Sequence, residues 1–233
     1  WVRMRGVEIH REDEDRGESG RRSAHQHADA PRFGRVAQSR GTGILSGMKL
    51  QLTYYGDPVL REASREVESV TDAHRELADS MLALMHESNG VGLAAQQVGR
   101  TEALCVVDVP PEADLDADGR PSNPEAPPPL VLFNPAVVSA SEETVSSEEG
   151  CLSFPGIYAP ITRHAEVDIR YLDRDGAERT LHLKGLTGRA VQHEIDHLHG
   201  VLICDRMSPV KKAALSGRLK RLRKETAASP AIR

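Results

Sequence analysis

The segment Gln192-His193-Glu194-Ile195-Asp196-His197 constrains this chain more than any other. Its two histidines stand four residues apart. On an α-helix such positions share a face, so both imidazoles can grip one metal ion. Glu194 follows the first histidine directly and lies about 100° further around the helix. It can reach a water at the metal without taking a coordination position. Two ligands and a base from one helical turn make the arrangement for metal-assisted hydrolysis. The helix itself is read from pattern. Leu186, Ala190, His193 and His197 form one stripe, with Val191, Ile195 and Leu198 packing beside it. Gly200 is placed to end the helix. The competing reading is a chance pair of histidines on a core-facing stripe.

A hydrolytic metal site usually takes three protein ligands and leaves one position open. The best candidate for the third is Cys151, within Glu149-Gly150-Cys151-Leu152-Ser153-Phe154-Pro155-Gly156. Its glycines and proline predict irregular, exposed backbone around the cysteine. A lone cysteine is more often a small buried hydrophobe. That reading is kept for Cys105, in the apolar run 103–107, and for Cys204, in 201–204. A further segment, Gly90-Val91-Gly92-Leu93-Ala94-Ala95-Gln96-Gln97, lacks the Lys-Ser/Thr of a P-loop and the GxGxxG spacing. It reads as a tight turn that lets a ligand approach the backbone. Gln97 is then an amide donor of the kind that stabilises an oxyanion. The plainer alternative is a helix-to-strand connection carrying a surface glutamine.

In this order, the segments 90–97, 149–153 and 192–200 resemble the peptide deformylase family, whose motifs read GxGLAAxQ, EGCLS and QHExDHLxG. The resemblance covers roughly residues 48–208. It implies an α+β fold, with antiparallel strands around a central metal-binding helix. It implies that Cys151, His193 and His197 bind Fe²⁺ and that Glu194 is the base. The oxyanion donors would be the Gln97 side chain and the Leu152 backbone N–H. The implied substrate is the nascent polypeptide beginning with N-formylmethionine. It would lie extended along Val91, Gly92 and Gly150, with a methionine pocket built partly from Leu186, Arg189 and Ala190. Two imidazoles and a thiolate suit Zn²⁺ as well as Fe²⁺. The rival enzyme is an HExxH metalloprotease, which needs no Cys151 and draws a third ligand from a downstream His or Glu. Here the chain after Asp205 is basic and short of ligands, and His199 is turned about 200° from His197, towards solvent. A catalytically inactive deformylase-like metal-binding protein would be expected to lack Glu194 or Gln97, and both are present.

The rest of the chain fits one enzyme domain. With 233 residues, 39% of them apolar, it can bury a single core. The net charge of −5 argues against wholesale nucleic-acid binding, DNA included. Three widely spaced cysteines give no disulfide framework and suit a reducing cytoplasm. No apolar stretch has the length of a membrane span. Residues 1–47 are polar and charged, and predict a disordered leader that contributes nothing to the site. Met48, just before the first strand-like run, offers a second reading as the biological start. Residues 48–208 form the expected catalytic domain. Thr71 reads as the cap of a helix with Leu77, Met81, Leu84 and Met85 on its apolar stripe. His74 and His86 fall on its solvated or half-buried face. Strands are expected at 103–109, 130–133 and 136–139, with 110–129 as a mobile surface insertion. Alternation at Val167, Ile169 and Tyr171, and again at Leu181 and Leu183, predicts two more strands. Asp173-Arg174-Asp175-Gly176 supplies the hairpin turn between them. In 209–233, Leu215, Leu219 and Leu222 recur at helical spacing among Lys and Arg. This predicts a basic amphipathic C-terminal helix. Either it packs its leucines on the domain, or it also meets ribosomal RNA where the nascent chain emerges.

Overall fold

Thr71 opens the first helix in the computed structural model, which describes residues 49–126 and 128–228. The Thr71 hydroxyl accepts from the His74 N–H, and His74 Nδ1 accepts from the Thr71 N–H. This reciprocal cap satisfies donors that the helix leaves unpaired. The helix, α1 (Asp72–Glu87), buries Leu77, Met81 and Met85 and leaves His74 and His86 half-buried. The leader read over 1–47, with Met48, lies outside the described residues.

Five antiparallel strands form the main sheet. They are β1 (Gly92–Ala94), β2 (Leu104–Val107), β3 (Leu130–Ala140), β6 (Glu166–Leu172) and β7 (Glu178–Lys184), in that spatial order. Alternation along β2 and β3 sorts their side chains between two cores. Leu104, Val106, Val131 and Phe133 pack with α1. Cys105, Val107, Leu130 and Leu132 pack with the long helix α2 (Gly185–Leu198). Strands covered on both faces read as continuous apolar runs, as these do. The turn at Asp173 forms as expected, with Gly176 at φ +80° and Asp173 Oδ1 accepting from the Asp175 and Ala177 N–H groups.

Three sequence expectations need correction. The two strands expected at 130–133 and 136–139 are one. Pro135 looks like a break, but Asn134 takes a left-handed φ of +49° and the pairing register with β6 shifts there. The Asn134 side chain then bonds both the N–H and the carbonyl of Val67, which holds the bulge in place. A second, two-stranded sheet of β4 (Thr144–Glu149) and β5 (Ala159–His164) was not read at all. Most of β4 is polar and exposed, so it carries little alternation. Third, the stretch expected as a mobile insertion is anchored over 110–126. Asp114, Ser122 and Ala126 in it are buried, and Asp114 and Asn123 bond the start of α2.

Beyond α2 the chain forms a short helix, α3 (Ile203–Arg206), and the expected C-terminal helix, α4 (Pro209–Ala228). Leu215 and Leu219 of α4 are buried in one cluster with Leu60, Cys151, Phe154 and Ile157. The C-terminal helix therefore packs beneath the loop that carries Cys151. Among the described residues, no helix is long and apolar enough to cross a membrane.

Candidate active site

Helix α2 begins beside β7 and runs under β1 and β2. Its later turns carry His193, Glu194 and His197, all buried, and Gly200 follows at φ +70° where the helix has ended. Cys151 comes from the turn after β4. The backbone there is irregular, as its glycines and proline predict, but the cysteine is buried and not exposed. Its neighbours Phe154 and Ile157 fold the turn into the α4 core.

The Cys151 Sγ lies 3.3 Å from His197 Nε2. Ligand atoms of Cys151, His193 and His197 all fall within 4.8 Å of one another, a group that could hold one metal ion. Burial opposes a charged thiolate, yet the His197 and His193 imidazoles hold the Cys151 thiol well below its ordinary range. Thiolate is the form that binds metal. His193 Nδ1 is 3.0 Å from Glu149 Oε2, which leaves Nε2 for an ion. The residues present thus fit a divalent metal by convergence, by donor chemistry and by ring orientation.

Glu194 sits beside this group without joining it. Its Oε2 is buried and bonds nothing among the described residues. Burial raises its pKa. The other oxygen lies against Gly92, where any Cβ would collide with it. Gly92 has no positive φ among those recorded, so its requirement is steric and not conformational. Gln97 is buried, which removes the surface-glutamine alternative. Its Oε1 accepts the Ala94 N–H at 2.8 Å, and this turns Nε2 towards Cys151 Sγ, 3.5 Å away. The Leu152 N–H donates to no backbone carbonyl among the described residues.

Glu149 is the residue whose importance sequence reasoning missed. It is fully buried. Its carboxylate accepts from Arg163 Nε at 2.6 Å, Arg163 Nη2 at 2.9 Å and Arg189 Nη1 at 2.7 Å, besides facing His193. Burial pushes its pKa up, but the His193 and Arg163 contacts win and hold it well below the carboxylate range. Arg163 also bonds Asp196, which Arg206 grips from outside. No spacing rule links these residues, since they come from β4, β5, α2 and α3. The one available signal was an acid two residues before the candidate cysteine. The same geometry corrects Arg189. Its guanidinium is spent on Glu149 and on the Ile161 and Val145 carbonyls, so only its aliphatic stem is left for the methionine pocket that the sequence suggested. Leu186 and Ala190 belong to the apolar cluster against which Val91 packs.

Among the described residues, β1 has a strand partner on one side only. The Asp108 N–H donates to the Val91 carbonyl across β1 and β2. Alternation along the strand then turns the backbone groups of Gly92 towards the unpaired edge. Gly150 follows directly at the end of β4. His199 is exposed, and Cys105 and Cys204 are buried, as the sequence predicts.

Comparison with known proteins bears on this arrangement. Residues 49–213 match the family model described as polypeptide deformylase. A peptide deformylase of Opitutus terrae is 42% identical over 187 residues, covering 78% of this chain and 97% of the relative. One of Salinibacter ruber is 44% identical over 168 residues, covering 72% and 85%. Among solved structures, the Plasmodium falciparum peptide deformylase superposes with a TM-score of 0.68 at 32% identity, covering 78% of this chain and 99% of that one. The Synechococcus elongatus enzyme, solved with actinonin, gives 0.62 at 37% identity, covering 72% and 87%.

Proposed function

The chain belongs to the polypeptide deformylase family, and from that premise we propose which of its residues carry each part of the reaction. The enzyme is a metallohydrolase that removes the formyl group from N-terminal formylmethionine and releases formate. Cys151, His193 and His197 would hold the ion. When bound, a divalent metal supplies Lewis acidity, which acidifies water and polarises a carbonyl oxygen. Glu194 takes a proton from the attacking water, whose oxygen adds to the formyl carbon. Its burial, its Oε2 without a partner among the described residues and its raised pKa suit a group that must hold and then return a proton. The Gln97 Nε2 and the Leu152 N–H receive the developing negative oxygen. As the formyl C–N bond breaks, Glu194 delivers its proton to the leaving nitrogen. Formate and a free α-amine result.

The substrate backbone lies extended along the free edge at Val91 and Gly92 and against Gly150. Leu186 and Ala190 contribute to the floor of the methionine pocket. The ion is Fe²⁺, with Zn²⁺ the alternative that the same donors accept. The enzyme works in the cytoplasm on chains leaving the ribosome, with α4 as its contact.

The observation that carries this reading is the convergence of a buried thiol, two imidazoles and an unpartnered glutamate. Its test is metal analysis of anaerobically purified protein, with an assay on formyl-Met-Ala and an unformylated control. Cys151→Ala should lose stoichiometric metal together with deformylation. Full metal content in that variant would overturn the ligand assignment.

A further inference from the structure

The helix that carries His193, Glu194 and His197 has no cap of its own. The side chain of Lys184, at the cap position, bonds none of the backbone N–H groups of the first turn. Asp114, some seventy residues earlier in the chain, supplies what is missing. Its carboxylate accepts from the Leu186 N–H at 2.7 Å, the Thr187 N–H at 3.1 Å and the Thr187 hydroxyl at 2.6 Å. Asn123 works on the junction just before. It accepts from the Lys184 N–H at 2.9 Å, donates to the Lys184 carbonyl at 3.0 Å and bonds Asp114 Oδ2 at 2.7 Å. Gly185 lies between, at φ +60°, and a Cβ there would strike Asp114 Oδ1.

We propose that Asp114, braced by Asn123, is a positioning residue for deformylation: it fixes the axial position of α2 and so the placement of His193, Glu194 and His197. The proposal rests on the metal-ligand reading above. Three features carry it. The carboxylate is buried and makes three bonds to two consecutive residues, so it defines where along its axis the helix starts. The negative charge also meets the positive end of the helix dipole. Further along, Arg189, His193 and Asp196 tie α2 to β4 and β5; at its start the directed bonds come from Asp114 and Asn123. The ligands lie about 9 Å further along, at 1.5 Å per residue from Thr187 to His193. A rigid helix carries a shift at its start towards them, against the bonds that hold its middle. Metal ligation tolerates about 0.2 Å, and a misplacement of about 1 Å can cost 10²-fold in rate.

A purely structural cap would alter only stability. The test therefore uses Asp114→Ala, Asp114→Asn and Asn123→Ala in the full chain, loaded with Co²⁺ and held well below each variant's Tm. The readouts are the visible absorption of cobalt beside thiolate, the rate of cobalt release to a chelator, and kcat and KM on formyl-Met-Ala. Asp114→Ala should lower kcat at least tenfold with KM changed less than threefold. It should also alter the cobalt spectrum and speed release at least tenfold. Asp114→Asn, which keeps an acceptor, should recover part of each. If Asp114→Ala does not fold, the other two variants carry the same expectations at smaller size. Folded variants with wild-type kcat, spectrum and release rate would overturn the proposal, whatever their Tm. A wild type that takes up cobalt without deformylating would instead sink the underlying functional reading.

Discussion

At the scale of single residues, the site depends on space as much as on charge. As the proposed base, Glu194 has an Oε2 that bonds nothing among the described residues, and its other oxygen faces a Gly92 that carries only hydrogen. Glu194→Gln keeps the ion, since Glu194 is not one of the proposed ligands, and loses about 10²-fold or more in turnover, the usual worth of a general acid–base. Metal content and kcat measured on one sample check it, and near wild-type turnover would require another base. Gly92→Ala removes no proposed catalytic group but pushes the Glu194 carboxylate aside. It should lower kcat by about 10²-fold with metal content unchanged, and unaltered kinetics would show that the carboxylate has room to give. The residues of the site were legible because their chemistry is local. Two histidines and a glutamate share one turn, and the cysteine and the glutamine each stand in a glycine-marked segment. Glu149 was not legible, because its value lies in Arg163, Arg189 and His193, which only the fold brings to it. The bonds of the Arg189 guanidinium were not legible for the same reason.

At the scale of elements, β4, β5, α2 and α3 are joined by the chain of Glu149, Arg163, Asp196 and Arg206. Breaking a buried pair on one side leaves an uncompensated charge, at a cost of about 3–5 kcal/mol. Glu149→Gln should therefore lower Tm sharply at neutral pH. The pH dependence has a definite sign. Both Glu149 and Asp196 have folded pKa values below their ordinary ones, 4.5 and 3.8. Their contribution is present above those values and is lost as pH falls through the lower folded ones. The Tm gap between wild type and Glu149→Gln should accordingly narrow below about pH 4.5, and a gap independent of pH would contradict the assignment. Helix α4 needs a similar correction of approach. Removing everything after Ser208 looks, from sequence, like a clean test of ribosome contact. The buried Leu215 and Leu219 make it a test of the Cys151 loop as well. Leu219→Ala alone should cost about 2 kcal/mol or more. The proposed ribosome contact is better probed at the exposed Lys220 and Lys224. Charge reversal there should weaken salt-sensitive ribosome binding and leave hydrolysis of formyl-Met-Ala unchanged, whereas unchanged ribosome affinity would leave α4 only its packing role.

At the scale of the whole molecule, the proposed ligands come from two separate packing units. Cys151 belongs to the core under α4, while the helix bearing His193 and His197 belongs to the core under the sheet. An ion bound between them would be a cross-link, and a ligand held by the folded form alone raises its stability by mass action. Chelation should lower the Tm of the wild type and leave that of Cys151→Ala unmoved. Equal Tm values with and without chelator in the wild type would mean that the two cores hold together unaided. The sheet order itself was beyond reach from sequence, because alternation marks a strand's faces and not its neighbours. The free edge of β1 carries a last consequence. An unpaired strand edge is a template for another chain, and proteins usually blunt it with lysine, proline or a covering segment. An edge proposed to admit the substrate peptide cannot be covered. This one is three residues long, Gly92–Ala94, and its third amide is already taken by Gln97. Brevity is then its protection against aggregation, and variants that lengthen β1 would make the enzyme stickier to its own copies before they made it any better at holding substrate.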